Sequence, residues 1–389
     1  MYCPGMPTIA SQEYGEHLKR KFAGRRMPYG GGWELTLRCN LQCEHCYAIY
    51  DTPKTLLPFD QIKRIADELV SEGTLGLFLT GGEIMTRRDF PDIYMYLKRQ
   101  GFILTLFTNA THVTDEIAKM LTEYPPFLIE ISIYGATEDT YEKLTRIPKS
   151  FERFTQGFER LRQTHSKFIL KTVYTRTNYH EAAQMQAIAD RVGVKFRWDA
   201  SVTSRMTGDP TPCSMRLNPE EVMKIEADDS KRAANWLNYF RNTRHLHSPE
   251  RKEIFSCGAG LHSFFISTEG KLYPCLMVRE ENAYDLRQGT FHEGFHHHLI
   301  GFRQRMKSKE KRCDRCEIKP LCDGCPGFSY WEHGDLEVPV DYVCDISHLR
   351  YEHFVEPHLS EEEKPRIYRT VGKPLPTYPL PVYAEERKP

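Results

Sequence analysis

Three closely spaced cysteines carry the strongest chemistry in this chain. They stand in Trp33-Glu-Leu-Thr-Leu-Arg-Cys39-Asn-Leu-Gln-Cys43-Glu-His-Cys46-Tyr47, a C-x3-C-x2-C run at the end of an apolar, strand-like stretch. Iron–sulfur cubes are closed by four cysteine thiolates. Three thiolates on one short loop therefore hold three irons and leave the fourth open to an outside ligand. A zinc knuckle is the alternative chemistry, with His45 as a fourth donor, because structural zinc takes four ligands.

A second set of cysteines lies far along the chain. It comprises Cys257, Cys275 at the end of a Gly270-x4-Cys275 step, the run Cys313-x2-Cys316-x5-Cys322-x2-Cys325, and Cys344. Of the twelve cysteines only Cys3 and Cys213 fall outside the two sets, and both read as plain thiols. Cysteines so grouped in a chain without a secretory signal point to metal rather than to disulfides. Reduced thiols and an oxygen-labile cluster suit a cytoplasmic location. For Cys313–Cys325 a zinc site, with Cys257 and Cys275 as spare thiols, is the competing reading.

Polar residues at the ends of apolar runs come next. Gly81-Gly82-Glu83 follows the run Leu75–Thr80. Two glycines let backbone approach a ligand closely, and the carboxylate can accept from an amino group. The plainer role for Glu83 is a carboxylate favoured at a helix N-terminus. Asn109, in Thr108-Asn109-Ala110, is a ligand contact or a turn former. Ser132 lies in the apolar stretch Glu130-Ile-Ser132-Ile-Tyr134, where a hydroxyl needs a hydrogen-bond partner. Lys171 and Arg197 read as solvated charges at strand ends. His292-Glu-Gly-Phe-His296-His297-His298 has metal-ligand character, but reads as a solvated loop.

The elements that must position these residues follow from periodicity. Apolar, β-branched runs at 33–37, 75–80, 102–108, 127–134, 168–174 and 194–198 predict strands. Amphipathic stretches at 59–70, 89–98, 114–121, 151–161 and 180–192 predict helices between them. Such alternation argues for an α/β fold with a parallel sheet and right-handed crossovers. Residues 200–217 read as a polar linker, and 218–243 as helical behind an Asn218 cap with Pro219 in the first turn. A hairpin is expected at 264–273, turned at Glu269-Gly270. The proline-rich stretch to residue 389 reads as extended.

Composition narrows the function. Lys+Arg and Asp+Glu are both 53 of 389 residues, giving zero formal net charge. No basic field exists to hold a phosphate backbone, so nucleic acid is not an expected partner. No apolar run is long enough to span a membrane.

The Cys39/Cys43/Cys46 loop, the Gly81-Gly82-Glu83 step one strand later and the second cysteine set together resemble the radical SAM superfamily, in particular its SPASM-domain subgroup of peptide-modifying maturases. The resemblance covers roughly residues 30–350. It implies a partial (β/α)6 barrel followed by a small cysteine-rich SPASM-like auxiliary-cluster domain. The corresponding divisions are a lead-in over 1–30, the barrel core over 31–217, a helical linker over 218–256, the auxiliary domain over 257–350 and a charged tail over 351–389.

It also implies a [4Fe–4S] cluster on Cys39, Cys43 and Cys46, with S-adenosylmethionine (SAM) on the open iron. The SAM amino group would meet Gly81, Gly82 and Glu83. Asn109 and Ser132 would be further SAM contacts, and Tyr47 or His45 would neighbour the adenine. Reductive cleavage of SAM would give a 5′-deoxyadenosyl radical that abstracts a substrate hydrogen. By the subgroup's pattern Cys313, Cys316, Cys322 and Cys344 close one auxiliary cluster. Cys257, Cys275 and Cys325 hold another, its fourth ligand being His262, water or substrate. Two departures stand out. The run closes C-x2-C where C-x3-C is usual, and Ser263 stands near a usual cysteine, leaving seven thiols where two closed cubes need eight.

A ribosomally made peptide is the substrate this resemblance favours, with a flavodoxin- or ferredoxin-like electron donor. The residues before position 30 are too few for a peptide-recognition domain, so a separate leader-binding protein is expected. Leu276 and Met277 follow Cys275 where sulfatase maturases carry an acidic base. Tetrapyrrole or cofactor biosynthesis, acting on a small molecule, is the alternative. A cluster-binding sensor or scaffold is the non-enzyme alternative, and it leaves the Gly81-Gly82-Glu83 step without a purpose.

Overall fold

The computed structural model describes residues 17, 20–22, 24–48, 56–244, 251–280, 282–314 and 316–365. The expected proline-rich extension beyond residue 365, Cys3 and most of the lead-in lie outside the described residues.

Six strands, β1 (Gly30–Thr36), β2 (Gly76–Gly81), β3 (Ile103–Thr108), β4 (Leu128–Ser132), β5 (Phe168–Val173) and β6 (Phe196–Asp199), pair in parallel in chain order. Helices α1 (Phe59–Ser71), α2 (Phe90–Arg99), α3 (Asp115–Glu123), α4 (Glu138–Thr145), α5 (Ser150–Arg162) and α6 (Ala182–Arg191) connect them. α1 forms because Ile62, Ile65, Ala66 and Leu69 recur at helical spacing, and all four are buried. α3 and α4 start where the Thr114 and Thr137 hydroxyls accept from backbone N–H groups three residues on. The short α4 was not expected from periodicity; its caps, not an apolar stripe, mark it.

Each strand has two faces, because side chains alternate. Trp33, Leu35, Leu77, Leu79, Leu104, Leu106, Ile129, Ile131 and Leu170 join the core beneath the helices. The alternate positions, Gly32, Glu34, Phe78, Thr80, Thr105, Phe107, Glu130, Ser132 and Lys171, therefore face the barrel interior. This pattern is the partial barrel the sequence led us to expect.

The C-terminal region continues the same sheet. β7 (Ser263–Ile266) pairs in parallel with the free edge of β1, and β8 (Lys271–Tyr273) and β9 (Tyr284–Asp285) follow antiparallel. The turn between β7 and β8 uses Gly270 at φ 82°, a backbone conformation that suits glycine. Residues 218–243 form two helices rather than one, α7 (Pro219–Asp228) and α8 (Ser230–Thr243). Asn218 and Glu221 complete a reciprocal capping box at the start of α7, and Asp229 caps α8. α9 (Leu299–Arg303), α10 (Pro326–His333) and α11 (Asp341–Phe354) complete the region. The histidine-rich stretch is not a loop: Glu293–His298 winds as a π-helix leading into α9. A small second core of Phe240, Ile318, Leu321, Tyr351 and Val355 sits under the cysteine run. Among the described residues, no helix is long and apolar enough to cross a membrane.

Candidate iron–sulfur and cofactor site

The loop bearing Cys39, Cys43 and Cys46 leaves the C-terminal end of β1, the end at which barrel enzymes carry their chemistry. Its backbone is held from two sides. Gln42 and Glu44 donate to the carbonyls of Thr145 and Leu144, at the end of α4. On the other side Gly82 and Glu83 donate to the carbonyls of Thr36 (2.8 Å) and Arg38 (2.9 Å). This close apposition requires the two glycines. A Cβ at Gly81 would lie 2.0 Å from the Thr36 oxygen, and one at Gly82 2.3 Å from the Arg38 oxygen.

Glu83 is fully buried. Its carboxylate accepts from the Thr108 hydroxyl (2.9 Å to each oxygen), the Asn109 N–H (2.7 Å) and the Met85 N–H (3.2 Å). The last of these caps a short 3-10 turn, so the plainer role expected for Glu83 is also present. Burial holds the carboxyl at about 7, against an ordinary 4.5, despite those hydrogen bonds. The raised value favours the neutral acid, so the cofactor-free fold loses stability as pH rises through the window from about 4.5 to about 7. An amino ligand donating to Glu83 gains over the same window. We therefore expect SAM affinity, measured by equilibrium dialysis, to fall more steeply below pH 7 in the native chain than in Glu83→Gln. Equal slopes would refute a direct contact.

Asn109 braces the loop. Its amide nitrogen donates to Asn40 Oδ1 (3.2 Å) and reaches the Cys39 sulfur at 3.7 Å, while its oxygen accepts from Thr111. Ala110, where a glycine would be usual in similar proteins, adopts φ 61°. Ser132 ends β4 on the interior face, in register with Lys171. Tyr47 stacks on Trp331 of α10, with ring centroids 5.4 Å apart, and so ties the cysteine loop to the C-terminal region. His45 packs against Tyr134 at 5.4 Å. Its buried Nδ1 has no hydrogen-bond partner among the described residues, and burial lowers its pKa to about 4.

The donor chemistry fits a cluster better than a single ion. Tetrahedral zinc with thiolates at about 2.3 Å places its sulfurs roughly 3.8 Å apart. Among the described residues no three cysteine sulfurs lie within 4.8 Å of one another. A cluster, with each thiolate on a different iron, needs that wider spread. Burial pushes Cys39 up to about 12 and raises Cys43 well above the ordinary thiol range, so these thiols ionise only against a bound cation. The orphaned His45 nitrogen and the half-buried Ser132 hydroxyl leave polar groups beside the loop for a ligand such as SAM.

At the opposite end of the sheet, Cys257 precedes β7 and Cys275 follows β8. Cys275 lies within electrostatic reach of Cys257 and Cys325, and Cys325 of Cys257 and Cys322. Cys316 is similarly close to Cys313 and Cys322. The fold thus gathers Cys257, Cys275 and Cys325, and brings Cys313, Cys316 and Cys322 close to one another, with Cys322 also near Cys325. Cys257 and His262 also line a cavity of about 710 Å³ that reaches up to Phe78.

Between the two ends, the interior holds charges that sequence reasoning missed or misplaced. Arg279 makes a two-pronged ion pair with buried Glu34 (2.9 and 3.0 Å). Lys171 binds Glu130 at 3.1 Å and lies 3.6 Å over the Phe107 ring, while Arg197, exposed at its strand end as expected, also reaches Glu130 at 2.7 Å. Lys171 is therefore not a solvated rim charge. Phe78 stacks on Phe107 at 5.3 Å and leans on Phe265 at 6.2 Å. The available signal was a carboxylate at an alternate position of an otherwise apolar strand, as in Trp33-Glu-Leu and Leu128-Ile-Glu-Ile.

Comparison with known proteins agrees with this geometry. The family model described as the Radical SAM superfamily matches residues 33–186. The AdoMet-dependent heme synthase of Methanosarcina barkeri is 29% identical over 326 residues, covering 78% of this chain and 92% of that protein. The mycofactocin maturase MftC of Mycolicibacterium smegmatis is 30% identical over 327 residues, covering 79% and 80%. Among solved structures, Streptococcus suis SuiB bound to its precursor peptide SuiA superposes with a TM-score of 0.65 at 14% identity, covering 88% of this chain and 84% of that one.

Proposed function

We propose that this chain, which belongs to the radical SAM superfamily, oxidises a substrate held in the barrel interior between two iron–sulfur sites. The family's cofactors are a [4Fe–4S] cluster and SAM. The cysteine-rich C-terminal region is compatible with auxiliary clusters. In our assignment Cys39, Cys43 and Cys46 hold the SAM-binding cluster. Gly81, Gly82, Glu83, Ser132 and His45 line the SAM position, while Asn109 and Tyr47 brace it. Cys313, Cys316, Cys322 and Cys344 form one auxiliary set; Cys257, Cys275 and Cys325 form the other. The bound cluster and SAM supply a one-electron reduction that yields a strong hydrogen-atom acceptor.

The observation that carries this reading is the placement of thiol groups at both ends of one sheet. β1 has 7 residues, and at ~3.3 Å per residue it spans roughly 20 Å. A substrate in between meets hydrogen abstraction at the C-terminal end of the strands. It can pass a second electron toward the thiols at the other end. Phe78, Phe107 and Phe265 exclude water and orient it, and Glu34–Arg279 fixes the wall without contributing net charge.

For the substrate we favour a ribosomally made peptide. Arg279, Lys171 and Arg197 are each bonded to a carboxylate of the chain, Glu34 or Glu130. A macrocycle bearing several propionates would need cations not already neutralised in this way. The relationship to a mycofactocin maturase supports the peptide reading. The coverage of the heme synthase favours the second reading, a tetrapyrrole. The reconstituted enzyme with SAM and dithionite separates them. The peptide reading expects 5′-deoxyadenosine to rise in step with modification of a precursor peptide encoded beside its gene, and no shift in the absorbance of added iron-coproporphyrin. A porphyrin shift at micromolar concentration with matching SAM turnover would move the assignment to tetrapyrroles. Cluster without SAM cleavage under either condition would favour a scaffold.

A further inference from the structure

The histidine-rich segment packs at the C-terminal end of α1 and shares no residue with the cysteine sites described above. Glu72 closes that helix, and its carboxylate is clasped between two imidazoles. His292 Nδ1 lies 2.6 Å from one oxygen and His296 Nε2 2.9 Å from the other. The two rings come from positions i and i+4 of a helical stretch, with centroids 4.7 Å apart. Among the described residues this is the one group of three His, Cys, Asp or Glu donors whose ligand atoms all lie within 4.8 Å of one another.

We propose that Glu72, His292 and His296 form a mononuclear site for a divalent transition-metal ion of the zinc type, which fastens α1 of the barrel to the helical stretch of the C-terminal region. Two imidazoles and a carboxylate form a donor set that zinc uses in proteins. With metal–ligand bonds of about 2.0–2.2 Å, neighbouring donors in a tetrahedron lie roughly 3.4 Å apart. Each imidazole nitrogen sits closer than that to its carboxylate oxygen, at 2.6 and 2.9 Å, because the pair shares a hydrogen bond. Exchanging those protons for a metal needs the carboxylate to retreat by less than about an ångström. No Lys or Arg among the described residues pairs with the Glu72 carboxylate; its partners are the two imidazoles.

The supporting structure is built on both sides. Arg26 donates to the carbonyls of His296 (3.0 Å) and Phe295, and its guanidinium lies 4.5 Å over the Phe295 ring. Glu68, one turn before Glu72, accepts from the Phe291 N–H at 2.6 Å and pairs with Arg64. These contacts fix the backbone carrying both histidines against α1, as outer partners of metal ligands do. π-helical winding, which brings His292 and His296 to one side, recurs at functional positions. Three protein donors leave a fourth position for water or for exposed His297, whose ring lies 5.7 Å from that of His292.

The test uses holoprotein with its clusters reconstituted, so that the thiols are occupied, dialysed against micromolar Zn²⁺. Zinc and iron per chain are measured together, and zinc K-edge absorption identifies the ligands. We expect about one zinc per chain with a nitrogen/oxygen shell near 2.0–2.1 Å and no sulfur. In His292→Ala/His296→Ala, retained zinc should drop at least tenfold with iron unchanged. Should that variant also lose iron, Glu72→Gln, which keeps both imidazoles, decides. Failure of the native chain to retain zinc overturns the proposal. So does zinc retained at native level in the variants, or a sulfur shell.

Discussion

Replacing Cys39, Cys43 and Cys46 together with alanine is expected to reduce 5′-deoxyadenosine formation to background while leaving iron at the C-terminal thiols. The reason is geometric. The three thiols share one loop at the C-terminal end of β1, whereas Cys257, Cys275 and Cys325 gather at the other end of the sheet. The loop is held by backbone bonds from Gly82, Glu83 and the α4 carbonyls rather than by its sulfurs, so the fold survives without them. Iron counted per chain should fall by about four. Loss of all iron would mean that the two thiol sets depend on one another, and would sink the two-ended arrangement on which the proposed function rests. Retention of SAM cleavage would remove the ligand assignment itself.

The second large effect is expected at Arg350→Met. Arg350 is almost fully buried on α11 and makes bonds to both oxygens of Glu226, to the Leu321 carbonyl at 3.2 Å and to Asp323 at 2.6 Å, with Trp236 stacked 4.3 Å away. Leu321 and Asp323 flank Cys322, so this one guanidinium fastens the cysteine run to α7. Glu226 is 0% exposed. Removing its main partner strands a buried carboxylate, which typically costs about 3–5 kcal/mol. Arg232, at 3.3 Å, and the Trp236 indole N–H, which donates to Glu226 at 3.0 Å, compensate only in part. Denaturant unfolding should show that loss, accompanied by lower iron in the C-terminal region and intact SAM binding at the Cys39 loop. Adding Glu226→Gln should recover part of the stability, because the stranded charge is gone. A double variant no more stable than the single would show that packing against Trp236, not charge, dominates.

The histidine clasp and the Arg350 cluster share a feature. Both connect the barrel or its following helices to the cysteine-rich region through side chains more than 100 positions apart in sequence. A further join is the Tyr47–Trp331 stack. The C-terminal thiols are therefore positioned by contacts with the barrel as much as by their own loops.

What the sequence determined by itself is everything carried by short-range periodicity and spacing. The strand–helix alternation, the C-x3-C-x2-C loop after the first strand, the glycine pair before Glu83 and the Asn218 cap all depend on residues within a few positions of one another. Local sterics and hydrogen bonding act over that range, so these features were legible. The elements missed were those defined by partners rather than by pattern. α4 buries only Tyr141 and Leu144 as apolar side chains, too few to read as a periodic stripe, and its start is held by the Thr137 cap and the Glu181 carboxylate. The 292–298 stretch is polar enough to read as a loop, and becomes helical where Glu68, Glu72 and Arg26 receive it.

Only the tertiary structure decided which charges are interior. Glu34, Glu130 and Lys171 are ordinary residues in a sequence string, and Lys171 reads as solvated. The sheet closes around them because burial is tolerable once each finds its opposite charge. The same holds for Asn109 and Tyr47, whose partners Cys39, Asn40 and Trp331 come from other elements. Such pairings depend on how strands and helices pack at long range, and no local pattern encodes them.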